Sequence, residues 1–186
     1  MWPYTAPMRA YGPSMETNLR LGDTVVRGVI TSDGVESDIP DYNGTEYTFK
    51  VTEHLMGAAT PETITVCFWG DRENGVAHPY RNDELIMILS YKDAHDVYIP
   101  TNDEECMFAI MPDDSLYPFS IAYCFTEYDY DPAEDLYAGI LEAAINIRDN
   151  PDEYEDTFAP GVILDGLLDP QSDVLAPLES IVESAS

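Results

Sequence analysis

The stretch Tyr47-Thr48-Phe49-Lys50-Val51-Thr52 alternates apolar and polar side chains without a break. That period of two is useless to a helix and places the two sets on opposite faces of a β-strand. One face must then be buried and the other wet, so Tyr47, Phe49 and Val51 mark a core on one side of a sheet. Downstream, Thr60-Pro61 resets the chain, and Ile64, Val66 and Phe68 alternate against Thr63, Thr65 and Cys67 in a second strand of the same kind. Upstream, Thr24 to Ile30 is a β-branched run interrupted at Gly28, the pattern of a strand bent at its glycine. Between these, Ser32 to Gly44 is turn-forming throughout and ends in the hairpin signal Asn43-Gly44.

Gly70 to Asn82 has breakers and no stripe, and is expected to be a surface loop. Leu85 to Tyr91 is apolar on both faces, as a strand covered from both sides must be. Val97 to Ile99 and Cys106 to Met111 are shorter strands separated by the acidic Asn102 to Glu105, and Pro112-Asp113-Asp114 turns the chain into Leu116 to Phe119. Asp131-Pro132-Ala133-Glu134 is a helix-start signature, followed at helical spacing by Leu136, Ile140, Ala143 or Ala144, and Ile147, until Asn150-Pro151 stops the run. Beyond it Val162 to Leu168 and Leu178 to Val182 are short apolar pieces able to dock. Residues 1–18 read as an arm, with a helical turn opening at Ser14. Several short strands followed by a helix predict a mostly β fold: a small closed or nearly closed antiparallel OB-like barrel over residues 19–125, packed by a helix at about 131–149 within an acidic helical extension, 126–186.

Charge narrows the functional classes. The 186 residues carry 8 Lys and Arg against 36 Asp and Glu, a formal charge of -28. A chain with so few cations has little with which to replace the counterions of a polyphosphate, so direct binding to nucleic acid or an anionic membrane is not expected. The content of 45% apolar and 11% aromatic residues is too rich for a disordered acidic tail. No run approaches the ~18 apolar residues of a spanning helix.

The strings Leu21-Gly22-Asp23-Thr24-Val25-Val26-Arg27-Gly28-Val29-Ile30, Tyr47 to Gly57 and Glu62-Thr63-Ile64-Thr65-Val66 resemble the netrin-like family, which includes the tissue inhibitors of metalloproteinases and bacterial extracellular relatives. Asp83 to Leu89, Met107 to Ile110 and the turn into Ser115-Leu116-Tyr117 resemble its fourth and fifth strands, so the likeness covers roughly residues 19–120. The resemblance implies an OB-type barrel flanked by helices, extracytoplasmic and used to bind other proteins. The inhibitors proper chelate the protease zinc through an N-terminal cysteine. Here no cysteine precedes Cys67, so that mechanism does not carry over and no site residue is transferred.

Cys67, Cys106 and Cys124 form no CxxC pair and read as core thiols. In an oxidising compartment one pair can close, with Cys106 and Cys124 slightly favoured and all three pairings open. His54, His78 and His95 lack metal-binding spacing and read as surface or loop residues. Glu127, Asp129, Asp131, Glu134 and Asp135 form an acidic cluster that invites calcium but lacks the glycine and terminal glutamate of the helix-loop-helix motif; helix capping explains it better. No activated serine or cysteine is visible, so no catalytic residue, cofactor or metal is assigned. Trp2, Tyr4, Trp69 and Tyr80 lie in or beside loops and are the residue types that anchor interfaces, which points to the loops after Trp69 and before Tyr47. The expectation is a non-catalytic binding module that engages a protein, possibly basic, through barrel loops outside the cytoplasm, an export signal preceding Met1 being presumed. Two alternatives are an acidic decoy that mimics nucleic acid through residues 126–156 and a calcium-binding surface protein.

Overall fold

The computed structural model describes residues 15–40, 43–70, 78–104, 106–118, 133–154 and 160–185. In chain order these form α1 (Met15–Leu21), β1 (Thr24–Ile30), β2 (Val35–Glu36), β3 (Gly44–Gly57), β4 (Thr63–Trp69), β5 (Glu84–Lys92), β6 (Val97–Glu104), β7 (Met107–Ile110), β8 (Leu116–Pro118), α2 (Ala133–Asp149), a 3-10 turn at Pro151–Glu153, α3 (Val162–Leu168) and α4 (Ala176–Ala185).

Five of the strands close into a barrel. β1 lies antiparallel between β3 and β5, β3 pairs with β4, β5 pairs with β6, and β4 meets β6 in parallel at Val66↔Tyr98. Around the ring the barrel strands therefore run first, second, third, fifth, fourth and back to the first, which is the OB-type order. The expected barrel is present, with its seam made by a parallel pair instead of an antiparallel one. β2 adds an edge beside β3, and the β7–β8 hairpin extends from β5.

Strand β3 has 14 residues because it serves two neighbours: Gly44 to Lys50 pair with β4, and Phe49 to Gly57 pair with β1. Its register with β1 shifts between Val25 and Val26 and again between Arg27 and Gly28. Each shift adds a residue on the β3 side, which bends the strand and lets the sheet curl. The glycine expected to mark a bend sits at the second shift.

The alternation is spent as two cores on either side of one sheet. Tyr47, Phe49, Ile64, Val66 and Phe68 point into the barrel with Val26, Ile30, Leu85, Met87, Leu89 and Met107. Val25, Leu55, Met56, Ile86, Ile88 and Phe108 face outward into a second core built by the helices. The apolar character of both faces of β5 follows, because Leu85, Met87 and Leu89 fill the barrel while Ile86 and Ile88 meet the helices. Helix α2 buries Leu136, Tyr137, Ile140, Ala143, Ala144 and Ile147 there, α1 supplies Met15 and Leu19, α3 supplies Ile163, Leu164 and Leu167, and α4 supplies Leu178. Both short apolar pieces near the C-terminus are thus docked helices. The start signature at Asp131-Pro132 lies outside the described residues.

β2 (Val35–Glu36) falls within Ser32 to Gly44, which the sequence reads as turn throughout, and one further element runs past its expected boundary. β6 continues through Asn102–Glu104, where the acidic stretch was expected to separate two strands. Strand pairing is a backbone property, and Thr101 ties this segment back by donating its Oγ1 hydrogen to the Ile88 carbonyl at 3.2 Å.

Candidate functional site

The loops singled out from sequence converge at one end of the barrel. The Gly70 N–H donates to the Asn43 carbonyl at 2.6 Å, and Thr45 Oγ1 donates to the Gly70 carbonyl at 2.9 Å, so the segment before Tyr47 and the segment after Trp69 are bonded to each other. Strand pairing sets which side chains share the outer face. Val35 stands opposite Glu46, Glu46 opposite Cys67, and Gly44 opposite Trp69. Since Tyr47 and Phe68 point inward, Val35, Glu46, Cys67 and Trp69 point outward. Val35 is 61% and Trp69 54% exposed, and Tyr80, at the far end of the same loop, is 48% exposed. Ser37 Oγ donates to Glu46 Oε1 at 2.6 Å between them. Trp2 and Tyr4 lie outside the described residues.

Beneath this rim the barrel mouth is sealed by His78. It lies in a loop, one of the two settings expected of it, but its side chain is turned inward: His78 is buried, its Nδ1 3.2 Å from the Tyr47 hydroxyl and its ring against Phe68 with centroids 5.9 Å apart. Two inward aromatic rings leave a slot at the end of the barrel, and an imidazole fills it while its nitrogen meets the phenol. Of the other histidines, His54 bonds through Nε2 to the Ala58 carbonyl at 2.9 Å, and His95 is exposed in the β5–β6 turn.

A second recess was not foreseen. It is a half-open groove of about 550 Å³ on the polar face of β3 and β4, bounded by the β5–β6 hairpin. Its floor carries Thr48 and Thr65, which are cross-strand partners, and Thr63. Its wall is the pair Tyr91 and Tyr98, opposite each other in the hairpin, with ring centroids 4.9 Å apart and planes inclined by 42°. Tyr91 is 37% exposed, and its hydroxyl donates to Asp96 Oδ1 at 2.9 Å. Asp23 closes the end: its carboxylate accepts the Tyr91 N–H at 2.7 Å and the Val162 N–H at 2.9 Å, which fixes β5 to the start of α3. Among the described residues the lining contains two carboxylates and no Lys, Arg or His. Burial, reinforced by the Asp96 and Asp23 charges, pushes the Tyr98 phenol up; the bond to Asp96 does the same for Tyr91. The signal available in the sequence was two tyrosines flanking the acidic turn Asp93-Ala94-His95-Asp96, which reads as any polar hairpin until the strands are placed.

A third polar constellation ties the helices to the barrel. Arg27 Nε donates to Glu84 Oε1 at 2.7 Å and its Nη1 to the Tyr137 hydroxyl at 3.1 Å, while that hydroxyl donates to Glu53 Oε2 at 3.3 Å. Burial disfavours the guanidinium charge, and the bonds to Glu84 and Tyr137 more than offset it, so Arg27 stays charged. This network spans β1, β3, β5 and α2 and is explained as a docking clamp.

Cys67 is buried, and desolvation pushes its thiol up with Ser37 opposing. Cys106 is buried in the helix-facing core; Cys124, and with it the favoured pairing, lies outside the described residues. The acidic cluster is described only at Glu134 and Asp135 in α2, the latter exposed. Among the described residues no group of three or more His, Cys, Asp or Glu is placed to hold a metal, and no helix is long and apolar enough to cross a membrane. Comparison with protein-family profiles finds none that matches the chain, and a search of curated proteins finds no match.

Proposed function

We propose that this chain is a non-catalytic, extracytoplasmic binding module of the netrin-like type, and that it engages a protein partner through the rim formed by β2, the end of β4 and their loops. The observation that supports this most is the pairing register that puts Val35 and Trp69 on one outer face, each more than half exposed. Large side chains left open beside a two-residue edge strand, which among the described residues pairs on one side alone, suit a partner that adds a strand or lays an apolar patch there. The formal charge of -28 favours a basic partner by steering its approach. OB-type architecture with flanking helices agrees with what the netrin-like resemblance implies, and the extracytoplasmic placement rests on that resemblance.

The test compares proteins captured from a cell-surface extract by the parent and by a Val35→Ser/Trp69→Ser double variant. Loss of the captured partner with an unchanged melting temperature supports the reading, as does weakening of capture when salt is raised about tenfold. Equal capture by the variant removes the rim from the interface, and capture indifferent to salt removes the steering. Turnover in a broad hydrolase screen overturns the non-catalytic assignment.

A further inference from the structure

We propose that the groove between the β3–β4 face and the β5–β6 hairpin is a second site, distinct from the rim, which takes a neutral oligosaccharide with one sugar ring laid on Tyr91. Three features carry this. The first is a fixed aromatic platform. Tyr91 is exposed on one side, backed by the Tyr98 ring at 4.9 Å, and its hydroxyl is held by Asp96 at 2.9 Å, so little rotational freedom remains to be lost on binding. The apolar face of a pyranose stacks on such a ring as a nucleobase does.

The second is the chemistry of the floor. Thr48, Thr63 and Thr65 bring hydroxyls to the polar side of two adjacent strands, and Asp96 adds a carboxylate able to accept from a sugar diol. A row of short polar groups beside an aromatic plane recognises a ligand that is apolar on its faces and hydroxylated on its edges. The third is the sign of the field. Among the described residues Asp23 and Asp96 are the charged groups in the lining, so nucleotides, uronic acids and sulfated sugars are repelled, and the neutral members of the class remain. A volume of about 550 Å³ falls in the range of ligand clefts.

The experiment titrates the intact chain calorimetrically with cellohexaose, chitohexaose and maltohexaose, with oligogalacturonate and an Arg/Lys-containing decapeptide as contrasts. Saturable binding of at least one neutral hexaose is expected, with none to oligogalacturonate. Tyr91→Ala weakens it about tenfold or more, the scale of losing one stacking platform, and Thr48→Val with Thr65→Val weakens it independently, which keeps the test alive should the tyrosine variant fold poorly. Trp69→Ser leaves it unchanged, so failure here is separable from failure of the rim. Absence of binding to all three hexaoses, or binding indifferent to both the Tyr91 and the Thr48/Thr65 changes, overturns the proposal. A decapeptide that binds and is lost with Tyr91→Ala, while the sugars do not bind, reassigns the groove to basic peptides and overturns it equally.

Discussion

Gly28 lies where β1 passes close against β3. A β-carbon built there lies 2.2 Å from the Lys50 carbonyl oxygen and 2.7 Å from the Phe49 ring, so the close approach of β1 to β3 depends on its absence. Phe49 is fully buried in the barrel and cannot step aside without displacing its neighbours. Gly28→Ala is therefore expected to cost about 2–4 kcal/mol in urea unfolding; a variant within about 0.5 kcal/mol of the parent would mean that β1 can move off β3 freely. That a bend belongs at this glycine was legible in the sequence, because a lone glycine in a β-branched run has few other uses. The burial of His78 was not. Whether a loop histidine is wet depends on what the loop covers, and the slot between Tyr47 and Phe68 exists only after the strands have closed.

At the scale of elements, alternation and helical spacing located β3, β4 and α2 because each has a face to bury, and periodicity reports that directly; β5 was located by an apolar run, both of its faces being covered. The Tyr91–Tyr98 groove escaped notice because it is made between elements; neither hairpin strand nor the β3–β4 ribbon forms it alone. The same holds for the clamp that joins α2 to the barrel, since Arg27 and Tyr137 are 110 residues apart in the chain. Tyr137→Phe removes two of its hydrogen bonds and is expected to lower stability by about 1 kcal/mol, whereas Arg27→Ala, which leaves Glu84 without its partner cation, should cost more, about 2–3 kcal/mol. Equal effects from the two changes would argue against a charged clamp. Burial raises the Tyr137 phenol, Arg27 opposing, so in the folded chain it holds its proton where an unfolded tyrosine, near 10, has begun to lose it. The native state then binds more protons than the unfolded one in that window, and stability must fall as pH climbs. The contribution is complete below about pH 10 and is lost as pH passes through the folded value. Urea midpoints measured from pH 9 to 11.5 are expected to decline, and to decline less steeply in Tyr137→Phe; parallel slopes would show that this phenol is not a source of the fall.

For the whole molecule, the barrel was readable and the proposed binding surface was not, for one physical reason. A core is specified by many side chains acting together, so the pattern from Thr24 to Phe68 is redundant, whereas a binding surface needs a few groups whose partners are absent from the chain. Charge lies between these extremes, because its sum is in the sequence and its spacing follows once the surface is known. The accessible surface is 10445 Å², so an excess of 28 negative charges occupies about 370 Å² apiece and stands about 19 Å apart. That distance exceeds twice the screening length at about 150 mM salt and is well inside the length of about 30 Å at 10 mM. Self-repulsion of the folded chain is therefore nearly silent at physiological ionic strength and switched on in dilute buffer, where the unfolded chain relieves it by expanding. Raising sodium chloride from about 10 to about 150 mM should increase the melting temperature by several degrees, with little further gain toward about 500 mM beyond what non-specific salt effects give a neutral protein. Replacing Glu142 and Asp149, which line a recess beside α1 and α2, by Gln and Asn should reduce that low-salt penalty. A melting temperature that does not move across the first interval would place the counterions so tightly on the surface that the formal charge overstates the field a partner meets.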